Sequence, residues 1–290
     1  MKTAIFLSIF AVVLFSSTHI QADNNKPDLW KVSKNGNVSY LFGSIHLGSP
    51  DMYPLSDAVK KAYESSQHLV VEIDLKPGDE LKMAPLIQKY GLNLSTPLEK
   101  RLSKDVLAIY KKACTERALP CAQFAPYKAW LLSVQLSVQQ MIQMGYKEKL
   151  GIDKHFLELA HNSKKNVIAL ETAGSQIKIV GGFDKQQQEL MLVQSLQAKD
   201  EDYVGLFDAW KSGDDKKLVE IFQRGLDQPG AKAMYIEMFD KRNLNMVSQI
   251  EKHIKANKSL FVVVGAGHII GENGIVDLLS KRGFKLSQIQ

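Results

Sequence analysis

Three short runs rich in branched aliphatic residues, Leu69–Asp74, Val167–Leu170 and Leu260–Val264, lie far apart in the chain with helical stretches between them. Strands joined through helices return by crossovers, which makes a mostly parallel sheet with helices over both faces. Leu260–Val264 has no polar residue, as a strand buried on both sides requires. Another signal adds an antiparallel pair. Leu29–Val32 and Val38–Phe42 flank Lys34-Asn35-Gly36-Asn37, and Asn-Gly between strand-like runs specifies a tight hairpin. The fold class expected is α/β: a mixed, mostly parallel central sheet with an N-terminal β-hairpin and flanking helices.

The rest of the chain fits around that sheet. Pro54 opens a helical stretch expected to run to Gln67. From Gly78 to Lys165 apolar residues recur every three or four positions, as in Leu98–Ala113 and Ala125–Met144, which predicts a helical insert over about 78–165. Asp184–Met246 reads as several helices broken near Gly213 and Pro229, and Ile275–Arg282 with Phe284–Ile289 as a last helix and strand.

The first 22 residues read as an address. Lys2 precedes an apolar run, Ala4–Phe15, and a polar stretch, Ser16–Ala22. Twelve residues are too few to span roughly 30 Å of hydrocarbon as a helix, and small Ala22 suits a cleavage site. A signal peptide over 1–22, an exported protein that is periplasmic or else secreted, a single domain over 23–290 and no stable membrane span in the mature chain are expected; an uncleaved anchor is the alternative. In an oxidising compartment Cys114 and Cys121 form either one bridge closing a short loop or two buried thiols. The net charge of +6 is spread over lysine doublets set among acidic residues, without the continuous basic stripe of a nucleic-acid surface, so no nucleic-acid partner is expected.

Chemistry should lie at the strand ends, because open α/β sheets bind ligands beyond the carboxyl edge of their strands. The first hairpin ends in Gly43-Ser44-Ile45-His46 and the strand at 260–264 ends in Gly265-Ala266-Gly267-His268, so the pattern G-x-x-H occurs twice. Glu72 stands inside an apolar run, where an unpaired carboxylate costs several kcal/mol, so it must meet a cation, a metal or a strong donor. Asp74 shares its strand face, which leaves either as the functional carboxylate. Glu171 closes the third strand beside Thr172 and reads equally as a site residue or an acidic helix cap. There is no H-E-x-x-H helix, G-x-S-x-G elbow or P-loop. His46, Glu72 and His268 are expected to converge on one pocket.

The segments YLFGSIHLGSPDMYPL, HLVVEIDL, ALETAGSQI and FVVVGAGHIIGENGIVDLLSKRGF resemble the TraB/GumN family, related to the Tiki metalloproteases. RNLNM, with Arg242 and Asn243, resembles the family's element before the last core strand. The resemblance implies an α/β fold also likened to erythromycin esterases and ChaN-like proteins, with the His and Glu pairs at the active site. Tiki-type members are metal-dependent peptidases, while many bacterial members have no assigned substrate.

Two imidazoles and one or two carboxylates suit Zn²⁺, Mn²⁺ or Co²⁺ with one position open for water. On this reading His46 and His268 are ligands, Glu72 is a ligand or general base, and Glu171 is a fourth member. Arg242 steadies an oxyanion, orients a carboxylate, or forms a structural ion pair. The substrate is a peptide or a small ester. A metal-free ester hydrolase with His46 as base oriented by Glu72, or a non-catalytic protein that captures a peptide, metal or cofactor, are the alternatives. Loss of either histidine is expected to leave the fold nearly intact.

Overall fold

The structure is a computed structural model that describes residues 25–76 and 78–289. The expected signal peptide over 1–22 and a mature start at Asp23 lie outside the described residues.

Asn35 (φ 51°) and Gly36 (φ 83°) both take the left-handed backbone that a tight hairpin turn demands, and they join β1 (Leu29–Lys34) to β2 (Asn37–Ser44). The remaining strands are β3 (His68–Val71), β4 (Asn166–Ala169), β5 (Leu260–Gly265) and β6 (Lys285–Gln288). They form one six-stranded sheet in the order β4-β3-β5-β2-β1-β6. The pairs β4·β3, β3·β5 and β5·β2 are parallel; β1 is antiparallel to both β2 and β6. The class is therefore α/β with a mixed, mostly parallel sheet.

Leu260, Phe261, Val262, Val263 and Val264 are each no more than 1% exposed. Successive strand residues point to opposite faces, so burial of all five means that both faces of β5 are covered. The cover comes from Val59 and Tyr63 of helix Asp57–Ser65, Phe156 of helix Ile152–Ser163, Trp210 of helix Asp200–Ser212 and Ile250 of helix Lys241–Lys255, all in one core with the strands. A second cluster, around Leu98, Tyr110, Phe124 and Leu132, forms in the helical stretch and takes in Leu192 and Leu196 of helix Lys185–Gln197. Cys114 and Cys121 are disulfide-bonded at its edge. Helix Ile152–Ser163, although inside the 78–165 span, packs on the sheet instead.

Two boundaries differ from the sequence reading. The helix after Pro54 starts at Asp57, because the Ser56 hydroxyl accepts a hydrogen bond from the Val59 N–H (3.3 Å) and fixes the N-terminus there. The strand expected over Leu69–Asp74 is β3, His68–Val71, so Glu72 is the first residue beyond it. Among the described residues no helix is long and apolar enough to cross a membrane.

Candidate active site

Because β2, β3, β4 and β5 run parallel, their carboxyl ends share one edge of the sheet. Ser44 is in register with Gly265, and Val71 with both Val263 and Ala169. The first glycine of each G-x-x-H turn marks a close approach. A Cβ on Gly43 would lie 3.1 Å from Ala266 Cα, and one on Gly265 would lie 3.2 Å from Glu72 Oε1. Trp210 Nε1–H donates to the Gly43 carbonyl (2.8 Å), anchoring the first turn from below.

The ladder between β3 and β4 continues for two bonds past the strands, with Leu170 N–H to Val71 O (2.9 Å) and Glu171 N–H to Glu72 O (2.8 Å). Those bonds set the two glutamates side by side. Arg242, from helix Lys241–Lys255, holds both: its Nε donates to Glu171 Oε1 (2.9 Å), and its Nη2 to Glu171 Oε2 (2.6 Å) and Glu72 Oε2 (2.7 Å). Arg242 Nη1–H donates to the Met238 carbonyl (3.0 Å) in the π-helical turn Ile236–Asp240 just before it. Gln176 Nε2 donates to Glu72 Oε2 and Glu171 Oε2, both at 2.8 Å. The Gly265 N–H donates to Glu72 Oε1 (2.7 Å). Burial alone would raise the Glu72 carboxyl; the nearby charges, His268 when protonated and Arg242 permanently, together with the Gly265 amide, outweigh it and bring the group down to about 2. Two carboxylates against one guanidinium leave this enclosed network with an excess of negative charge.

His268 is 5% exposed and lies against the Phe239 ring. Its Nδ1 is 2.6 Å from Asn243 Oδ1, and Asn243 Nδ2 donates to the Asn273 carbonyl (2.8 Å), which fixes the amide with its oxygen towards the ring. Nδ1 therefore carries the proton. Burial pushes the ring down to about 4, so it is neutral at pH 7 and its Nε2 lone pair lies 3.9 Å from Glu72 Oε1. His46 differs: its side chain is 67% exposed, and Nδ1 lies 3.2 Å from Asp153 Oδ2. That hydrogen bond, ahead of any cost of burial, holds the ring charged, up to about 9. The charge of His46 reaches Glu72 and His268, which places it in the same electrostatic neighbourhood.

The structure thus joins Glu72, Glu171, Arg242 and His268 in one network, with His46 beside it on a separate carboxylate. Glu171 is a network residue; the helix cap is Thr172, whose hydroxyl accepts from the Ser175 N–H (3.1 Å). Asp74 is drawn away to His161 Nε2 (2.8 Å), so of these two acids it is Glu72 that joins the Arg242 network. His268 is buried, so its loss removes more packing than the nearly intact fold expected for either histidine variant assumes. Sequence alone does not single out Asp153 or Gln176: Gln176 lies within the ALETAGSQI segment, and Asp153 carries no signal beyond an acid in the first turn of a helix. Beside Glu171 and Arg242 opens a cleft of about 430 Å³, walled by Leu170, Ser175, Ile179 and Lys241.

The donor types at the strand ends suit a divalent cation, and a neutral imidazole nitrogen facing a carboxylate oxygen with no proton between them is an arrangement that a cation reconciles. As the side chains stand, however, no three His, Cys, Asp or Glu residues among those described are gathered into a metal-holding group.

The sequence profile of the TraB/PrgY/gumN family matches residues 28–288. Two proteins named uncharacterized protein YbaP, from Shigella flexneri and Escherichia coli (strain K12), are 31% identical over 142 residues and 30% identical over 141. Each alignment takes in 49% of this chain and 51% of the relative, so the chain spans about half the length of these curated relatives. The metalloprotease TIKI homolog of Nematostella vectensis is 24% identical across 90% of this chain and 67% of that protein. No solved structure gives a significant match.

Proposed function

The chain belongs to the TraB/PrgY/gumN family, and on that premise we propose that it is an exported, periplasmic hydrolase, a metal-dependent peptidase of the Tiki type. His268, Glu72 and His46 are the residues that would hold the cation, and a peptide is the substrate. The observation that carries the reading is the lone pair of His268 Nε2 turned to Glu72 Oε1 at 3.9 Å in a network with surplus negative charge. A divalent cation bound there supplies a Lewis acid and an acidified water.

The chain's own residues prepare that place. Asn243 fixes the tautomer of His268, while the Gly265 amide and Arg242 hold Glu72 in one orientation and keep it ionised. Arg242 is fully engaged by Glu171, Glu72 and Met238, so its role is to hold the carboxylates in place. His46 must give up its Nε2 proton to serve as a ligand, so cation affinity should fall in acid. The cleft beside Glu171 combines apolar Leu170 and Ile179 with polar Ser175, Lys241 and Asn245, a mixed lining that a peptide can use.

Metal analysis of protein purified without chelator or affinity-tag histidines, with a peptide-library cleavage assay, tests the reading. Bound metal and cleavage that disappear together in His268→Ala support it; cleavage that survives chelation overturns it. A second reading, metal-free ester hydrolysis, is favoured by one observation: His46 has a carboxylate partner of its own, Asp153 and not Glu72, which orients the ring as a base that would act in alkali, once its proton is lost.

A further inference from the structure

The way Asp153 reaches His46 is unusual. Residues 45–48, which follow the first G-x-x-H turn, are clamped to residues 147–152 at the start of helix Ile152–Ser163. Gly48 and Lys147 exchange backbone hydrogen bonds (3.0 and 2.8 Å), and the Ile152 N–H donates to the Ile45 carbonyl (2.9 Å). The approach is so close that a Cβ on Gly48 would lie 2.0 Å from Leu150 O, and one on Gly151 would lie 2.2 Å from His46 O. Only glycine fits at either position. The clamp puts Asp153 in the first turn of the helix, where the N-terminal end of the helix favours negative charge, with Oδ2 against His46 Nδ1.

Stability does not account for this acid. Its Oδ1 is buried and has no hydrogen-bond partner among the described residues, which burial penalises. The ion pair it makes is with an exposed imidazole, where solvent screening leaves little net gain.

We propose that Asp153 is the positioning residue of this site: by accepting the Nδ1 proton of His46 it fixes the ring and presents Nε2 for a divalent cation or a proton. The proposal rests on the reading of His46 as a site residue. Its test uses the full mature chain stripped of metal, with Asp153→Ala, Asp153→Glu and His46→Ala beside the wild type. Zn²⁺ affinity by calorimetry should fall about 10–100-fold in Asp153→Ala and recover in part in Asp153→Glu, with thermal midpoints almost unchanged. A second measurement needs no metal. Two-bond ¹⁵N–¹H correlation at alkaline pH, where His46 is neutral, should show the Nδ1–H tautomer in the wild type and its loss in Asp153→Ala. If His46→Ala weakens Zn²⁺ binding and Asp153→Ala does not, the positioning role is wrong while the metal reading stands. If neither variant changes Zn²⁺ affinity, the metal reading fails and the tautomer decides: loss of the Nδ1–H form in Asp153→Ala upholds the proposal, and its retention overturns it.

Discussion

At the ends of β2 and β5 the same four-residue pattern delivers two different imidazoles. His46 stands 67% exposed against a carboxylate and is held charged, whereas His268 is 5% exposed against an amide oxygen and is held neutral. Each turn places its ring at the shared edge of the sheet. The protonation state is set by the partner, and the partners come from elsewhere: Asp153 from helix Ile152–Ser163, Asn243 from helix Lys241–Lys255. A pair of rings, one charged and open to solvent and the other neutral and enclosed, can divide proton handling and lone-pair donation between them.

Arg242→Ala strikes the contrast hardest. It removes the cation that both carboxylates share, and breaking a buried pair in this way costs about 3–5 kcal/mol, read from urea unfolding. Arg242 also holds the His268 ring down, so its loss should raise the His268 midpoint from about 4 and make the two histidines more alike. Arg242→Lys, which keeps the charge but not the fork, should recover part of the stability. An Arg242→Ala protein as stable as the wild type, with His268 still titrating near 4, would show that Arg242 does not govern this site.

His268→Ala comes next, at about 2–3 kcal/mol. It removes packing against Phe239 and leaves Asn243 Oδ1 buried without its donor. Linkage adds a signature. The folded midpoint lies below the ordinary 6.5, so the contribution of the neutral ring is complete above that value and is lost as pH falls towards about 4. The variant should therefore lose less stability than the wild type over that acid interval. Equal acid sensitivity of the two proteins would remove His268 from the account.

These effects divide what the sequence discloses from what it hides. β5 was legible because five consecutive apolar residues need cover on both faces, and the hairpin because Asn35-Gly36 suits the left-handed turn. Parallel strands sharing an edge explain why Glu72 and His268 lie 3.9 Å apart and why His46 follows β2 at that same edge. Their electrostatic states did not follow, since these depend on bonds between segments far apart in sequence, such as Glu171 N–H to Glu72 O or Ile152 N–H to Ile45 O. Asp153 is one acid among many until the glycine contacts at 48 and 151 bring it to His46. Glu72 stands one residue past β3, and its carboxylate is held by the Gly265 amide and Arg242, partners that the strand's own sequence does not name.

Asn243→Asp would test whether the partner alone makes the difference. It gives His268 the kind of neighbour His46 has, so its midpoint should rise by a unit or more, each unit being about 1.4 kcal/mol of preference for the charged ring. The added carboxylate enters a network already in negative excess, so at neutral pH the fold should lose about 1 kcal/mol. Proton resonances of the His268 ring followed through an acid titration decide the matter. A midpoint that stays near 4 would mean that enclosure by Phe239 and its neighbours outweighs the partner.

The smallest effect belongs to His46→Ala. The folded midpoint, about 9, lies above the ordinary 6.5, so the pairing with Asp153 contributes in full below about pH 6.5 and is lost as pH rises through about 9. The ring is 67% exposed, and solvent screens such a pair to about 0–1 kcal/mol. The substitution should accordingly lower the urea midpoint slightly near pH 6 in dilute buffer. It should lower it less in about 1 M salt, where charges are screened beyond roughly 3 Å, and not at all near pH 10. A loss above about 1.5 kcal/mol that persists in salt and alkali exceeds anything an exposed pair supplies. It would mean that His46 is built into the fold as His268 is, and the contrast between the two turns would be gone.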